Sequence, residues 1–300
     1  MRRIKGVSST FLTSRIALGT VQFGLDYGIA NKAGRVPPRA VKEILDYAQA
    51  AGIKCLDTAA GYGQSESVLG DYLKGHPKVF RIFSKLPPLE SYKPGDVKGF
   101  FQVSISRLRV DTIDGYLIHN FQNFLKHEAL WEEMVELKKN KRVESIGFSL
   151  YSPAELDMIF EKNLPCDTVQ VPYSVFDRRF ENWFPRLKQR NIEIFVRSIF
   201  LQGLAFLPLE AVPLKLEKAK GPLGALRRIS QANALGINNI CLNFVLLNPH
   251  VDKVVIGIDN LHQLEADMED LRTFDQVTGI RNQLDDVIID DENILLPYRW

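Results

Sequence analysis

The sequence predicts an α/β chain folded as a closed (β/α)8 TIM barrel, with a short N-terminal hairpin before it and a C-terminal tail after it. Three observations carry that expectation. Short apolar runs of strand type alternate with helix-like segments, the pattern of parallel strands joined by helical crossovers. Eight such units can be counted along the chain, and eight close a barrel where an open doubly wound sheet would want fewer. The chain has 300 residues, 45% of them hydrophobic, which is enough to bury a barrel core as one domain over residues 1–300.

Residues 4–12 read as the hairpin, ahead of a first strand at 16–20. A helix over 38–51 follows, with Pro38 at its start and Gly52 past its end, the expected punctuation. A strand at 53–56 leads to a helix at 65–74 with Ser65 as N-cap, then a strand at 79–84 and a helix at 96–108. Further strands fall at 113–118, 143–148, 168–171, 192–197 and 253–256. The helices between and after them centre near Met134, Leu156, Leu187, Ile229, Phe244 and Leu264. Residues 207–224, with Pro208, Pro213 and Pro222, form the one long irregular connection, a type that often serves as a lid or is simply mobile.

The charge balance narrows the partners. With 38 basic and 36 acidic residues well mixed, the net charge of +2 offers no field for nucleic acid or an anionic membrane, so small molecules are expected. Nothing in the pattern sets an oligomeric state. Cys55, Cys166 and Cys241 are odd in number, far apart and without metal-ligand spacing, so they read as buried free thiols in a reducing compartment, with no metal site. Residues 1–18 contain Arg2 and Arg3, but Ser8, Ser9, Thr10, Thr13, Ser14 and Arg15 interrupt any signal-peptide core. No run approaches the roughly 18 apolar residues of a membrane span, and a cytoplasmic location is expected.

The chemistry gathers at strand ends. Asp57 closes one apolar run, Lys85 the next and His119 the one after, while Tyr62 lies in Leu56-Asp57-Thr58-Ala59-Ala60-Gly61-Tyr62-Gly63. Barrel enzymes hold their reactive groups at such ends. A carboxylate, a phenol, an ammonium and an imidazole are the groups needed to hand a proton to a carbonyl oxygen while hydride arrives at carbon. A free tyrosine, with pKa about 10, is a poor shuttle, but an adjacent ammonium such as Lys85 favours the phenolate and lowers it. Asp57 would pair with Lys85 and fix its direction, and His119 would orient the substrate oxygen or donate to it. Singly, each has a blander reading: a loop cap, a core ring, a solvated strand end, a satisfied core histidine. Four complementary groups at successive strand ends outweigh those.

The sequence resembles the aldo-keto reductase superfamily from about residue 4 to residue 271. The resemblance rests on Ala17-Leu18-Gly19-Thr20-Val21-Gln22-Phe23-Gly24, on Asp57 through Gly63, on Ser65-Glu66 and Leu69-Gly70, on Ser84-Lys85 and Ile118-His119, and on Gly147-Phe148-Ser149, Gln170, Gln202-Gly203-Leu204, Ile256-Gly257 and Gln263-Leu264. It implies a catalytic tetrad of Asp57, Tyr62, Lys85 and His119. It also implies a nicotinamide dinucleotide, usually the 2′-phosphorylated form, held without a G-x-G-x-x-G fingerprint, which this chain indeed lacks after its first strand. By the same resemblance Ser149 and Gln170 hold the nicotinamide carboxamide, and Gly19, Thr20, Ser198, Gln202, Gly203 and Gly257 line the cofactor.

Several positions depart from the family's pattern. Leu150 stands where many members have Asn, and Arg197 where many place an aromatic ring against the nicotinamide. A guanidinium can stack there, although its charge disfavours the oxidised, cationic ring, or it can bind substrate. Asp259, Gln263 and Asp267 occupy the region where members hold a 2′-phosphate, and two acids there lean toward NADH over NADPH, by the logic through which a carboxylate accepts ribose hydroxyls. The other reading turns Asp259 to solvent and takes a lysine from residues 214–220.

For the substrate, Phe23, Leu25, Tyr27, Phe121 and Phe124 either form an aromatic mouth or plug the barrel top. The tail ending in Tyr298-Arg299-Trp300 either folds over the site, where Arg299 and Arg197 could grip an anionic or polyhydroxylated substrate, or packs on a helix. The leading function is NAD(P)H-dependent reduction of an aldehyde or ketone. A dinucleotide-binding sensor with little turnover, and a sugar isomerase or lyase with no net redox change, are the other readings.

Overall fold

The computed structural model describes residues 8–76 and 79–300. Eight parallel strands close into a barrel in chain order. They are β1 (Ile16–Gly19), β2 (Cys55–Asp57), β3 (Arg81–Leu86), β4 (Ile113–Ile118), β5 (Val143–Ser149), β6 (Thr168–Pro172), β7 (Glu193–Arg197) and β8 (Lys253–Gly257). The seam is shut by β8 on β1, with Leu18 opposite Ile256 and Gly19 opposite Gly257. Below it, the buried Arg15 guanidinium donates to the carbonyls of Leu246, Asn248 and Val251, tying the start of β1 to the approach to β8.

The crossover helices form for local reasons that the sequence carries. Pro38–Ala51 starts on proline, ends on Gly52 in the left-handed region (φ 91°), and buries Val41, Ile44, Leu45 and Ala48, one face at helical spacing. Pro153–Glu161 begins with a reciprocal capping box between Ser152 and Glu155. Burying each such leucine or isoleucine against the sheet contributes about 1.5–3 kcal/mol.

Three local expectations are corrected. Of the expected hairpin, residues 4–7 lie outside the described residues and the remainder is a short helix, Ser9–Ser14, whose cap is the Ser8 side chain accepting from the Phe11 amide. The helix Ser65–Leu73 is preceded by Gln64 at its N-cap, because the Ser65 hydroxyl is turned inward to donate to the Thr20 carbonyl. Residues 207–224 are not irregular throughout: they hold 3-10 turns at Leu209–Ala211 and Leu214–Ala219 and then the start of the helix Lys220–Asn233.

Inside the barrel, Ala17, Cys55, Phe83 and Phe195, with Val255 against them, make a small apolar layer separate from the main core. Gly115 clears room for it, since a Cβ there would lie 2.1 Å from the Phe83 ring. Side chains alternate along a strand, so residues two places further on share the lumen side, one layer closer to the mouth. Those residues are Gly19, Asp57, Lys85, Arg197 and Gly257. The fold thus sets a polar layer directly on an apolar floor.

Candidate active site

Asp57 and Lys85 form the base of the polar layer. The Lys85 ammonium donates to both Asp57 oxygens at 2.7 and 2.8 Å and to the Thr58 carbonyl at 2.9 Å. Both side chains are buried, 0% exposed for Lys85 and 3% for Asp57. Burial holds the Lys85 pKa below its ordinary value even though the Asp57 carboxylate pulls it up. From across the barrel, on β6, the Gln170 amide donates to Asp57 at 2.7 Å. An ammonium has only three N–H donors. Asp57 and Thr58 engage them, and the ammonium sits 5.1 Å from the centre of the Tyr62 ring.

This geometry corrects the expected tuning of Tyr62. Burial, reinforced by the negative charge of Asp57 and opposed by Arg197, pushes the phenol pKa up from its ordinary value. The three donors of the lysine go to Asp57 and the Thr58 carbonyl, and none goes to the Tyr62 hydroxyl. His119 meets Tyr62 edge to face, with ring centroids 5.6 Å apart. Desolvation, followed by the charges of Lys85 and Arg197, holds its pKa down to about 3, so the imidazole is neutral across the physiological range.

These groups open on a cavity of about 960 Å³ at the C-terminal mouth of the barrel. Its lining brings together Asp57, Tyr62, His119, Gly19, Thr20, Gln170, Arg197, Ser198, Gln202, Gly203, Gly257, Asp259, Gln263 and Asp267. Lys85 and Ser149 are the two expected site residues outside it: both are buried behind the wall, Ser149 in register beside Gln170. Tyr151, Asn31, Asn238, Asp270 and Tyr298 line it as well, without having been singled out as cofactor contacts in the sequence.

The loop after β7 is bent tightly to make one wall. Ser198, Leu201 and Gln202 adopt positive φ (61°, 46° and 52°), and Gly203 follows at 92°. The Gln202 carbonyl accepts from the Ile29 amide at 2.9 Å, and the Gln202 side chain donates to the Tyr27 hydroxyl at 2.7 Å. Gly203 has to be glycine twice over, because a Cβ would also lie 2.8 Å from Ala30. The loops after β1 and β7 therefore meet over the cavity.

The far end of the cavity is acidic. Asp259 accepts from Asn31 at 3.3 Å and from the Gln263 side chain at 3.4 Å, and burial raises its pKa. Asp267 accepts from Asn238, which also bridges to Asp270 at 2.8 Å, and burial pushes the Asp267 pKa up to about 7. Of the three lysines in residues 214–220, Lys218 pairs with Asp291 and Lys220 with Glu217, and neither these nor Lys215 lines the cavity.

The apolar mouth divides residue by residue. Phe23, Phe121 and Phe124 are core plugs, at most 1% exposed, whereas Leu25 and Tyr27 face the cavity. From the tail, Pro297 and Tyr298 reach the cavity, but Arg299 does not join Arg197: it pairs with Glu292 at 3.3 Å and donates to Asn293. Trp300 packs on the core and donates to the Ile294 carbonyl.

The residues present fit a bound dinucleotide. The cavity is at the upper end of small-molecule sites. Gly257 keeps its wall thin, since a Cβ would lie 2.4 Å from the Gln22 amide. Two buried polar atoms on lining residues, Gln22 Oε1 and His119 Nδ1, have no hydrogen-bond partner among the described residues. Among the described residues, no group of three or more His, Cys, Asp or Glu side chains is gathered to hold a metal ion, and no helix is long and apolar enough to cross a membrane.

The sequence model of the aldo/keto reductase family matches residues 15–277. The chain is 25% identical to YqkF of Bacillus subtilis, described as an oxidoreductase, over 90% of each chain. It is 28% identical to the aldo-keto reductase YhdN of the same organism, over 64% of this chain and 60% of that one. Among solved structures, the holo form of the aldo-keto reductase AKR11C1 from Bacillus halodurans superposes with a TM-score of 0.74 at 21% identity, covering 93% of this chain and 94% of that one.

Proposed function

The chain belongs to the aldo/keto reductase family of NAD(P)-dependent oxidoreductases, and from that premise we propose that it reduces an aldehyde or ketone through Tyr62, with NADH preferred to NADPH. The observation that carries the reading is the convergence of Tyr62, His119 and the buried Lys85–Asp57 pair at one end of a cavity large enough for a dinucleotide and a small substrate.

When bound, the reduced dinucleotide supplies hydride to the carbonyl carbon and leaves oxidised, while one proton goes to the oxygen to complete the alcohol. Gly19, Thr20, Gln170, Ser198, Gln202, Gly203, Gly257, Asp259, Gln263 and Asp267 would hold it. Tyr62 is the proton donor. Its raised pKa keeps the phenol protonated at neutral pH, so the enzyme rests in the state that reduction requires. His119, held neutral, can donate a hydrogen bond to the carbonyl oxygen without competing as an acid. Lys85 and Asp57 place a fixed dipole under the tyrosine ring, and Gln170 ties that pair to the opposite wall.

The preference for NADH follows from the acidic end. Asp259, Asp267 and Asp270 line it with no lysine or arginine among the described residues there. A dianionic phosphate near the Asp259 and Asp270 carboxylates is repelled, whereas ribose hydroxyls are accepted by them, and Asp267, with its pKa raised to about 7, adds less of that charge. The test is turnover of a carbonyl panel with NADH by the wild type and Tyr62→Phe. Loss of about 10²-fold or more in kcat is expected, and undiminished turnover would overturn the assignment.

A further inference from the structure

The acid-rich cavity contains one basic side chain among its described lining residues, Arg197, against Asp57, Asp259, Asp267 and Asp270. Asp57 is occupied by Lys85 and Gln170, and the other three lie at the far end. The two side-chain hydrogen bonds of Arg197 go to neutral oxygens, the Leu150 carbonyl at 2.9 Å and the Ser198 hydroxyl at 3.3 Å. A guanidinium carries five N–H donors, so most of its capacity is unused.

Arg197 is also held in place. Its guanidinium lies 4.2 Å from the centre of the Tyr151 ring, and Tyr151 is braced edge-on by Tyr298 of the tail at 5.0 Å. The charge reaches the reacting end, where it helps to hold the His119 pKa down and opposes the rise at Tyr62. A half-buried cation, aimed by an aromatic stack and bonded only to neutral groups beside the proton donor, is a receptor for an anion.

We propose that Arg197 recognises the substrate, and that the substrate is a carbonyl compound carrying a carboxylate. One planar guanidinium forks a carboxylate well and balances its single charge, whereas a dianionic phosphate would keep a second charge that this one cation does not balance. This inference rests on the carbonyl-reduction reading of the same site.

The experiment has a binding arm and a turnover arm, both on the full chain with NADH. Calorimetric titration compares benzoate with benzamide, which match in size and differ in charge. Steady-state reduction compares 4-carboxybenzaldehyde with its methyl ester. Benzoate is expected to bind about tenfold or more tighter than benzamide, with Arg197→Met erasing the difference and Arg197→Lys keeping part of it. The ratio of kcat/KM for the acid over the ester should fall about tenfold in Arg197→Met.

Charge-blind binding by the wild type overturns the proposal. So does a ratio unmoved in Arg197→Met while the Kd for NADH rises, which would assign the guanidinium to the dinucleotide. Arg197-dependent benzoate binding with neither aldehyde reduced would uphold the anion site and remove carbonyl reduction. Reduction through Tyr62 without charge preference would do the reverse.

Discussion

Replacing Lys85 by methionine removes the ammonium and leaves the Asp57 carboxylate in a layer where it is 3% exposed. The methionine approximates the lysine stem, so the core stays filled and the loss is electrostatic. Two charge-assisted contacts of 2.7 and 2.8 Å disappear, and only the Gln170 amide at 2.7 Å still donates to that carboxylate. Breaking a buried pair from one side costs about 3–5 kcal/mol, because the remaining charge is uncompensated. Removing both charges, with Asp57→Asn and Lys85→Met together, should cost less than the sum of the single changes by about 2 kcal/mol or more. Urea denaturation followed by tryptophan emission measures this, comparing wild type, the two single variants and the pair. A Lys85→Met protein within about 1 kcal/mol of wild type would refute the reasoning, since that is the range of an exposed pair.

Asp259→Ser should raise affinity for NADPH relative to NADH by about tenfold, or 1.4 kcal/mol, in a fluorescence titration, and wild type already favouring NADPH by that factor would contradict the assigned role. Asp267 has a folded-state pKa raised to about 7 from an ordinary 3.8. The raised value means that its favourable contribution is complete below the unfolded pKa and is lost as pH climbs toward 7. Asp267→Asn should therefore melt above wild type at pH 8 and level with it near pH 4 in thermal scans. Deleting residues 297–300 removes Tyr298 from Tyr151, and a raised KM with little change in the Kd for NADH is expected. An unchanged KM would take the tail out of the substrate site.

The fold was legible because strand period and chemistry coincide. Cys55 and Asp57, Phe83 and Lys85, Phe195 and Arg197 are each two residues apart, so an apolar residue on the barrel floor announces a polar one above it. The helix Pro38–Ala51 was bounded correctly by proline and glycine, residues whose backbone preferences are local. Ser8 is the local signal at the start: its cap turns residues 9–14 into a helix.

Other features depend on three dimensions. That Lys85 donates to Asp57 and not to the Tyr62 hydroxyl is set by side-chain direction, which spacing does not encode. Asn238 reaches the cavity from the helix Ile237–Leu246, and Tyr298 from the tail, each far in sequence from the groups it meets. Asp259 and Arg197 were visible as departures from a pattern, and their neighbours explain what those departures can do.

The most direct measurement of the proposed chemistry is reduction of an aldehyde with NADH deuterated at the transferred position of the nicotinamide, with product and cofactor both quantified by mass spectrometry. The expected result is one deuterium on the carbinol carbon and one NADH consumed per alcohol formed, with the rate lost in Tyr62→Phe. Product formed without net loss of NADH, or an alcohol carrying no deuterium at that carbon, would contradict it.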